Sequence, residues 1–133
     1  MRKITVIIER AKDGGYGVYG ETTDGIWGMG DSVKEAKESA MESLRLFLEN
    51  NEAKNIPPEL KGDYELIYKY DTQSFLNYYK GIFTNAALER LTGINQKQLQ
   101  HYASGLKKPR PLQTKKIQTA LHKLGHELLE IEL

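Results

Sequence analysis

Gln96, Lys97, Gln100 and His101 gather long amides, a cation and an imidazole on one short stretch, and Lys107, Lys108 and Arg110 follow in a proline-bounded loop. These side-chain types suit nucleic acid. Glutamine can pair with adenine and lysine with guanine through hydrogen bonds in a major groove, while clustered cations suit phosphate oxygens. This is the chemistry of recognition. The chain has no cysteine to supply a thiolate or a disulfide, and no nucleophile stands beside an activating base.

Two short helices around a tight turn must position these groups. In residues 84–111, TNAALERLTGINQKQLQHYASGLKKPRP, Thr84 is an N-cap and Leu88 with Leu91 forms an apolar stripe. Gly93 ends that helix in the left-handed region and Ile94 fills the corner. Asn95 caps the next helix with Gln98 as its capping-box partner, Leu99 and Tyr102 face inward, and Gly105 closes it. The pattern is a helix-turn-helix. Thr84, Asn95, Gln96, Lys97, Gln100, His101, Lys107, Lys108 and Arg110 form the candidate DNA-binding set, with the amides at the recognition-helix N-terminus facing base edges. An ordinary helical hairpin with a solvated polar face is the bland alternative.

Charge divides the chain in the same place. Residues 1–72 carry 10 Lys+Arg against 14 Asp+Glu, a net of −4, whereas residues 73–133 carry 9 against 4, a net of +5. Between Gln73 and His126 the only acid is Glu89. A whole-chain net of +1 conceals an acidic half joined to a basic one, which points to nucleic acid on one side only. Two small domains, 1–71 and 72–133, are expected, with a boundary near Tyr70 to Ser74. No apolar run approaches the roughly 20 residues of a membrane span, and the start of the chain reads as a strand, so a cytoplasmic protein without membrane contact is expected.

The first half reads β-β-β-α-β. Ile4 to Glu9 is β-branched, Lys12-Asp13-Gly14-Gly15 turns it into a strand through Tyr16, Val18 and Tyr19, and Asp24-Gly25 leads to a short strand Ile26-Trp27-Gly28-Met29. The glycine there suggests a bulge or close backbone approach. Ser32 and Glu35 form a capping box for a helix carrying Val33, Ala36, Ala40, Met41, Leu44, Phe47 and Leu48 up to Asn50-Asn51. A polar loop from Glu52 to Gly62 returns the chain to a fourth strand, Tyr64 to Tyr70, with apolar residues at every second position. Asp71 is placed to cap the helix that follows.

Other apparent motifs are weaker. Gly15-Tyr16-Gly17-Val18-Tyr19-Gly20 matches G-x-G-x-x-G, but a dinucleotide fingerprint opens a helix and this stretch enters a strand. His122 and His126 are spaced as helix-borne metal ligands, yet Gly125 is expected to weaken or end the helix between them and no third ligand is near. Asp13, Asp24 and Asp31 sit at turns or a helix start, where aspartate serves the backbone, and Glu21 alone does not make them a metal site. No cofactor, metal or catalytic residue is assigned.

With these elements in order, KITVIIERAKDGGYGVYGETTDGIWGMGDSVKEAKESAMESLRLFL followed by LTGINQKQLQHYASGLKKPRP resembles a HicB-type antitoxin of a type II toxin-antitoxin pair. The likeness covers nearly the whole chain. Its most characteristic part is Gly30-Asp31-Ser32-Val33-Lys34-Glu35-Ala36, leading into the long helix. Glu21 to Trp27 lacks the proline-containing strand usual in that family, and Glu89 stands where phage-repressor-like domains usually carry alanine. The resemblance implies a partial ribonuclease-H-like domain that grips a HicA-type mRNA-cleaving toxin, joined to a helix-turn-helix domain that binds the operon's own double-stranded operator.

The expected protein is therefore α+β: a β-β-β-α-β partial ribonuclease-H-like domain, then an all-α helix-turn-helix domain. The expected function is an antitoxin that binds its toxin directly and represses its own operon as a homodimer or higher homo-oligomer, since one recognition helix reads too few bases. Two alternatives remain: a stand-alone transcriptional regulator whose first domain senses a ligand, and a metal-dependent nuclease. The non-enzymatic reading is preferred over the last.

Overall fold

A computed structural model describes all residues, 1–133, and the chain falls into two compact units, Met1–Asp71 and Thr72–Leu133. The first holds β1 (Arg2–Arg10), β2 (Tyr16–Gly20), β3 (Trp27–Gly30), the 18-residue helix α1 (Val33–Asn50) and β4 (Tyr64–Tyr70). The strands form one sheet in the order β3-β2-β1-β4. β1 pairs antiparallel with β2 and parallel with β4, and α1 supplies the crossover between β3 and β4. The protein is thus mixed α+β, with a four-stranded sheet and five α-helices.

Turn chemistry sets the first hairpin. Gly14 has φ +93°, and the Gly15 N–H donates to Asp13 Oδ1 at 3.0 Å. The glycine-rich stretch 15–20 therefore lies in a turn and a strand. At Gly28 the sheet and helix touch backbone to backbone: a Cβ there would lie 2.7 Å from the Ala36 carbonyl oxygen. Glycine and alanine at these facing positions let α1 sit low on the sheet.

Ser32 Oγ accepts the Glu35 N–H at 3.1 Å, and Glu35 Oε2 accepts the N–H of Asp31 at 3.0 Å. The box at the start of α1 thus closes one residue upstream of its usual partner. Val33, Ala36, Ala40 and Leu44 are buried against Ile4, Val6, Ile8, Val18 and Ile26. The loop before β4 is more ordered than its composition suggests, with two 3₁₀ turns, Ala53–Asn55 and Pro58–Leu60, the second of which buries Leu60.

Tyr64, Leu66, Tyr68 and Tyr70 share the helix side of β4 and are half-buried. Lys37 Nζ lies 4.2 Å from the Tyr68 ring centroid. Partial burial lowers the Lys37 ammonium pKa and raises that of the Tyr68 phenol. On the other side of the sheet one register line runs through all four strands as Lys69, Ile7, Tyr19 and Trp27, with Met29 and Ile67 nearby. No element of the first unit covers this face, and Trp27 and Met29 are 59% and 61% exposed.

The second unit contains α2 (Thr72–Tyr79), α3 (Asn85–Thr92), α4 (Gln96–Ser104) and α5 (Pro111–Leu129). Its core is Leu76, Leu88, Ile94, Leu99, Tyr102 and Ile117, with Phe75, Phe83, Ala103 and Leu121 packed around it. Two expectations fail here. Leu91 is exposed and Thr92 takes the buried place four residues after Leu88, where its hydroxyl donates to the Leu88 carbonyl at 2.7 Å and accepts the Ile94 N–H at 3.1 Å. α5 also does not end at Gly125: it continues to Leu129, because one glycine costs only about 1 kcal/mol against a long run of helix-forming residues. No helix of the chain is long and apolar enough to cross a membrane.

Candidate nucleic-acid interface

α3 and α4 are joined by a turn of three residues. Thr84 Oγ1 accepts the Ala87 N–H at 3.0 Å and starts α3, and Gly93 ends it at φ +76°. Asn95 Oδ1 accepts the Lys97 N–H at 2.8 Å and starts α4, which Gly105 ends at φ +83°. Gln98 does not return to Asn95 as a capping-box partner; its Nε2 donates to the Tyr102 hydroxyl at 2.9 Å. Glu89, reaching across from α3, instead accepts the N–H of Gln96, the first residue of α4, at 2.9 Å.

These caps fix the aim of α4. Leu99 and Tyr102 are held in the core, and the opposite side of the same helix exposes Gln96, Lys97 and Gln100. Gln100 is oriented, because the Asn85 side-chain NH₂ donates to its Oε1 at 3.0 Å. With its Oε1 so engaged, Gln100 has its own NH₂ as the donor to offer an outside acceptor. Asn85 was not singled out by the sequence reading; its place one residue after the Thr84 cap was the available sign.

His101 departs from expectation. It is half-buried, and its Nδ1 is enclosed without a hydrogen-bond partner. The chain after α4 folds back over it: the His101 carbonyl accepts the Lys107 N–H at 3.1 Å and the Ser104 hydroxyl at 3.2 Å. His101 therefore belongs more to the joint between α4 and the basic loop than to the exposed face of α4.

Lys107, Lys108 and Arg110 are exposed and line one shallow depression with Gln98, Tyr102 and Gln113. Arg110 is the N-cap residue of α5, and Pro111 is its first helical residue. A second depression at the start of α3 is lined by Lys80, Thr84, Asn85 and Gln100 among others. Lys80 is a cation the sequence reading missed, since it precedes the two-helix pattern by several residues.

The arrangement offers amide and ammonium donors from the first turn of α4, flanked by cations on the loop after it and by Lys80 before α3. That is a polar edge with charge on both sides. No three His, Asp or Glu side chains in the structure are grouped so that they could hold a metal ion. His122 and His126 are both exposed on α5. The chain matches no protein-family model, no curated protein and no solved structure.

Proposed function

We propose that this chain is a HicB-type antitoxin: the first unit binds and neutralises a HicA-type mRNA-cleaving toxin, and the second represses the operon by binding its operator as a homodimer or larger assembly. The observation that carries the DNA half is the opposition of faces on α4. Leu99 and Tyr102 are locked inside while Gln96, Lys97 and Gln100 stand in solvent between basic segments. A helix anchored in this way can enter a major groove without rearranging its own core.

Two features support the first half. The strand order β3-β2-β1-β4 with α1 crossing between β3 and β4 supports the partial ribonuclease-H-like reading. The uncovered sheet face carries Trp27, Met29, Tyr19, Ile7 and Ile67, a combination suited to a protein interface. The net charge of −4 over residues 1–72 complements a basic RNA-binding toxin and favours fast encounter.

Binding to a palindromic operator, measured against random DNA over a range of salt, tests the proposal. Gln96→Ala should cost about 1–3 kcal/mol on the specific site and little on random DNA. Equal losses on both would remove its base-reading role. Neither unit acts as a nuclease in this proposal, so the purified chain should leave RNA and DNA intact with magnesium or manganese. Cleavage that disappeared on replacing Asp24 or Asp31 would overturn it.

A further inference from the structure

The segment Gly105-Leu106-Lys107-Lys108-Pro109-Arg110 joins α4 to α5, and two of its features go beyond what phosphate contacts need. One is stiffness. Pro109 and Pro111 fix their own φ and confine the residues before them, Lys108 and Arg110, to extended backbone, so four consecutive residues are restricted together. Arg110 lies at φ −75° and ψ 158°, close to polyproline II. The start of the segment is tied as well: the Lys107 N–H donates to the His101 carbonyl at 3.1 Å, and the Leu106 N–H donates to Ser104 Oγ at 3.3 Å. The result is a short rod fixed to the end of α4.

The other feature is apolar. Leu106 and Leu112, on either side of the rod, are 70% and 78% exposed beside the cations Lys107, Lys108 and Arg110. Phosphate oxygens reward cations and give nothing to a leucine, whereas the walls of a minor groove are sugar rings on which apolar side chains pack. The rod suits that groove. Pro109 and Pro111 have no N–H to desolvate, and the Arg110 guanidinium forms no ion pair and caps no helix in the chain. Guanidinium is more weakly hydrated than ammonium, so a narrow groove that strips water selects Arg110 over its lysine neighbours.

The length of α4 sets where the rod falls. Its 9 residues span about 13 Å and a major groove is about 12 Å wide, so a helix whose first turn meets base edges brings its C-terminal end to the bounding sugar-phosphate backbone. The minor groove begins across that backbone. The rod leaves α4 at this end, with Lys107 and Lys108 coming first, at the phosphates, and Arg110 next beyond them.

We infer that Arg110, carried on the rod Lys108-Pro109-Arg110-Pro111, enters the minor groove flanking the base pairs that α4 reads and makes binding depend on A·T-rich sequence there. A·T tracts narrow the minor groove and concentrate its negative potential, which draws a guanidinium in. A G·C pair places the guanine N2 amino group in the same groove, where donor meets donor. The inference rests on the proposed operator reading and deepens it, adding a readout of flanking sequence that α4 never touches.

Selection of preferred sites from a library of random duplexes by the full-length chain should return a core sequence with A·T-rich flanks. With the core fixed, the flanks are then built in three forms: A·T, G·C and inosine·C. Inosine lacks the N2 amino group of guanine, so it changes the minor groove and leaves the major-groove pattern of G·C intact. The parent chain should bind the A·T-flanked and inosine-flanked sites about tenfold more tightly than the G·C-flanked one. Arg110→Ala should bind all three alike with an unchanged circular dichroism spectrum, because this exposed side chain caps nothing. Lys107→Ala should weaken all three equally. Equal binding of the three sites by the parent, an inosine-flanked site that behaves as G·C, or a flank preference that survives in Arg110→Ala would each overturn the minor-groove role and leave the core reading standing. A library that returned no core would overturn the operator reading itself, and the inference with it.

Discussion

The Glu89 carboxylate on α3 accepts the backbone N–H of Gln96, the first residue of α4, at 2.9 Å. An acid at that point satisfies one of the N–H groups that a helix start leaves open and lies at the positive end of the helix dipole. In a unit of net +5 over residues 73–133, the only acid between Gln73 and His126 thus spans the turn of the helix pair and fixes the angle at which Gln96 and Lys97 are presented.

Glu89→Ala should therefore destabilise the second unit by about 1 kcal/mol, within the usual range for losing a helix cap. Urea denaturation of the full chain followed by far-ultraviolet circular dichroism would measure it. Glu89→Gln keeps an acceptor and should lose less. An equal loss in both variants would assign the effect to charge rather than to the hydrogen bond.

Asn85 is a positioning residue for Gln100. Asn85→Ala frees the Gln100 side chain to rotate, so the preference for operator over random DNA should fall by about 1 kcal/mol. The salt dependence of binding should not change, because no cation is removed. By contrast, Lys107→Ala with Lys108→Ala should flatten the dependence by roughly one unit of slope per lost phosphate contact. A changed slope in Asn85→Ala would mean that this side chain meets phosphate itself.

The local features of this fold were legible because they depend on neighbours in sequence. The turns at Gly14 and Gly93, the caps at Ser32, Thr84 and Asn95, and the alternation of β4 all arise within a few residues. What escaped the sequence depends on distant partners. Leu91 and Thr92 both suit a helix stripe beginning at Leu88, and only the position of Ile94 decides that the threonine turns inward. Glu89 as a cap, Asn85 on Gln100 and the folding of the basic loop over His101 all join elements across a turn. Gly125 misleads because its local helix cost is real but small beside the rest of α5.

Gly28 makes a sharper test of the sheet-helix contact. In Gly28→Ala the new methyl would face the Ala36 carbonyl oxygen at 2.7 Å and the Ala40 Cα at 2.8 Å, both on the body of α1 and unable to rotate away. The helix must lift from β3, at a cost of about 1–3 kcal/mol. Gly17→Ala, where a Cβ meets nothing within 4 Å, is the matched control and should cost less than 1 kcal/mol. Similar losses at both sites in chemical denaturation would show that strand propensity, not the contact with α1, sets the penalty.

Trp27 is the chain's only tryptophan and stands 59% exposed at the end of the register line Lys69-Ile7-Tyr19-Trp27. An exposed indole contributes little to the fold, so Trp27→Ala should leave thermal stability nearly unchanged. On a partner-binding face the same truncation removes a large anchoring surface, and affinity for the proposed toxin should drop by about 2 kcal/mol or more. Titration calorimetry with the proposed toxin would measure the loss, and Trp27 fluorescence in the parent chain would report burial directly. Unchanged affinity with unchanged fluorescence would move the partner surface away from the open sheet face.

The two units can also be separated. Residues 1–71 hold a sheet, its crossover helix and a core of their own, and residues 72–133 hold a second core with no residue shared between them. A fragment of residues 1–71 should therefore fold, show the far-ultraviolet signature of a sheet with one helix, and protect cells from the co-expressed toxin while failing to occupy the operator. Its net charge is the −4 counted over residues 1–72, since Thr72 is neutral. The fragment 72–133 should do the reverse. Growth after toxin induction and an electrophoretic operator-binding assay, run side by side on both fragments, decide the matter. Rescue by residues 72–133 alone would place the partner-binding surface on the helical unit and leave the open sheet face without its proposed role.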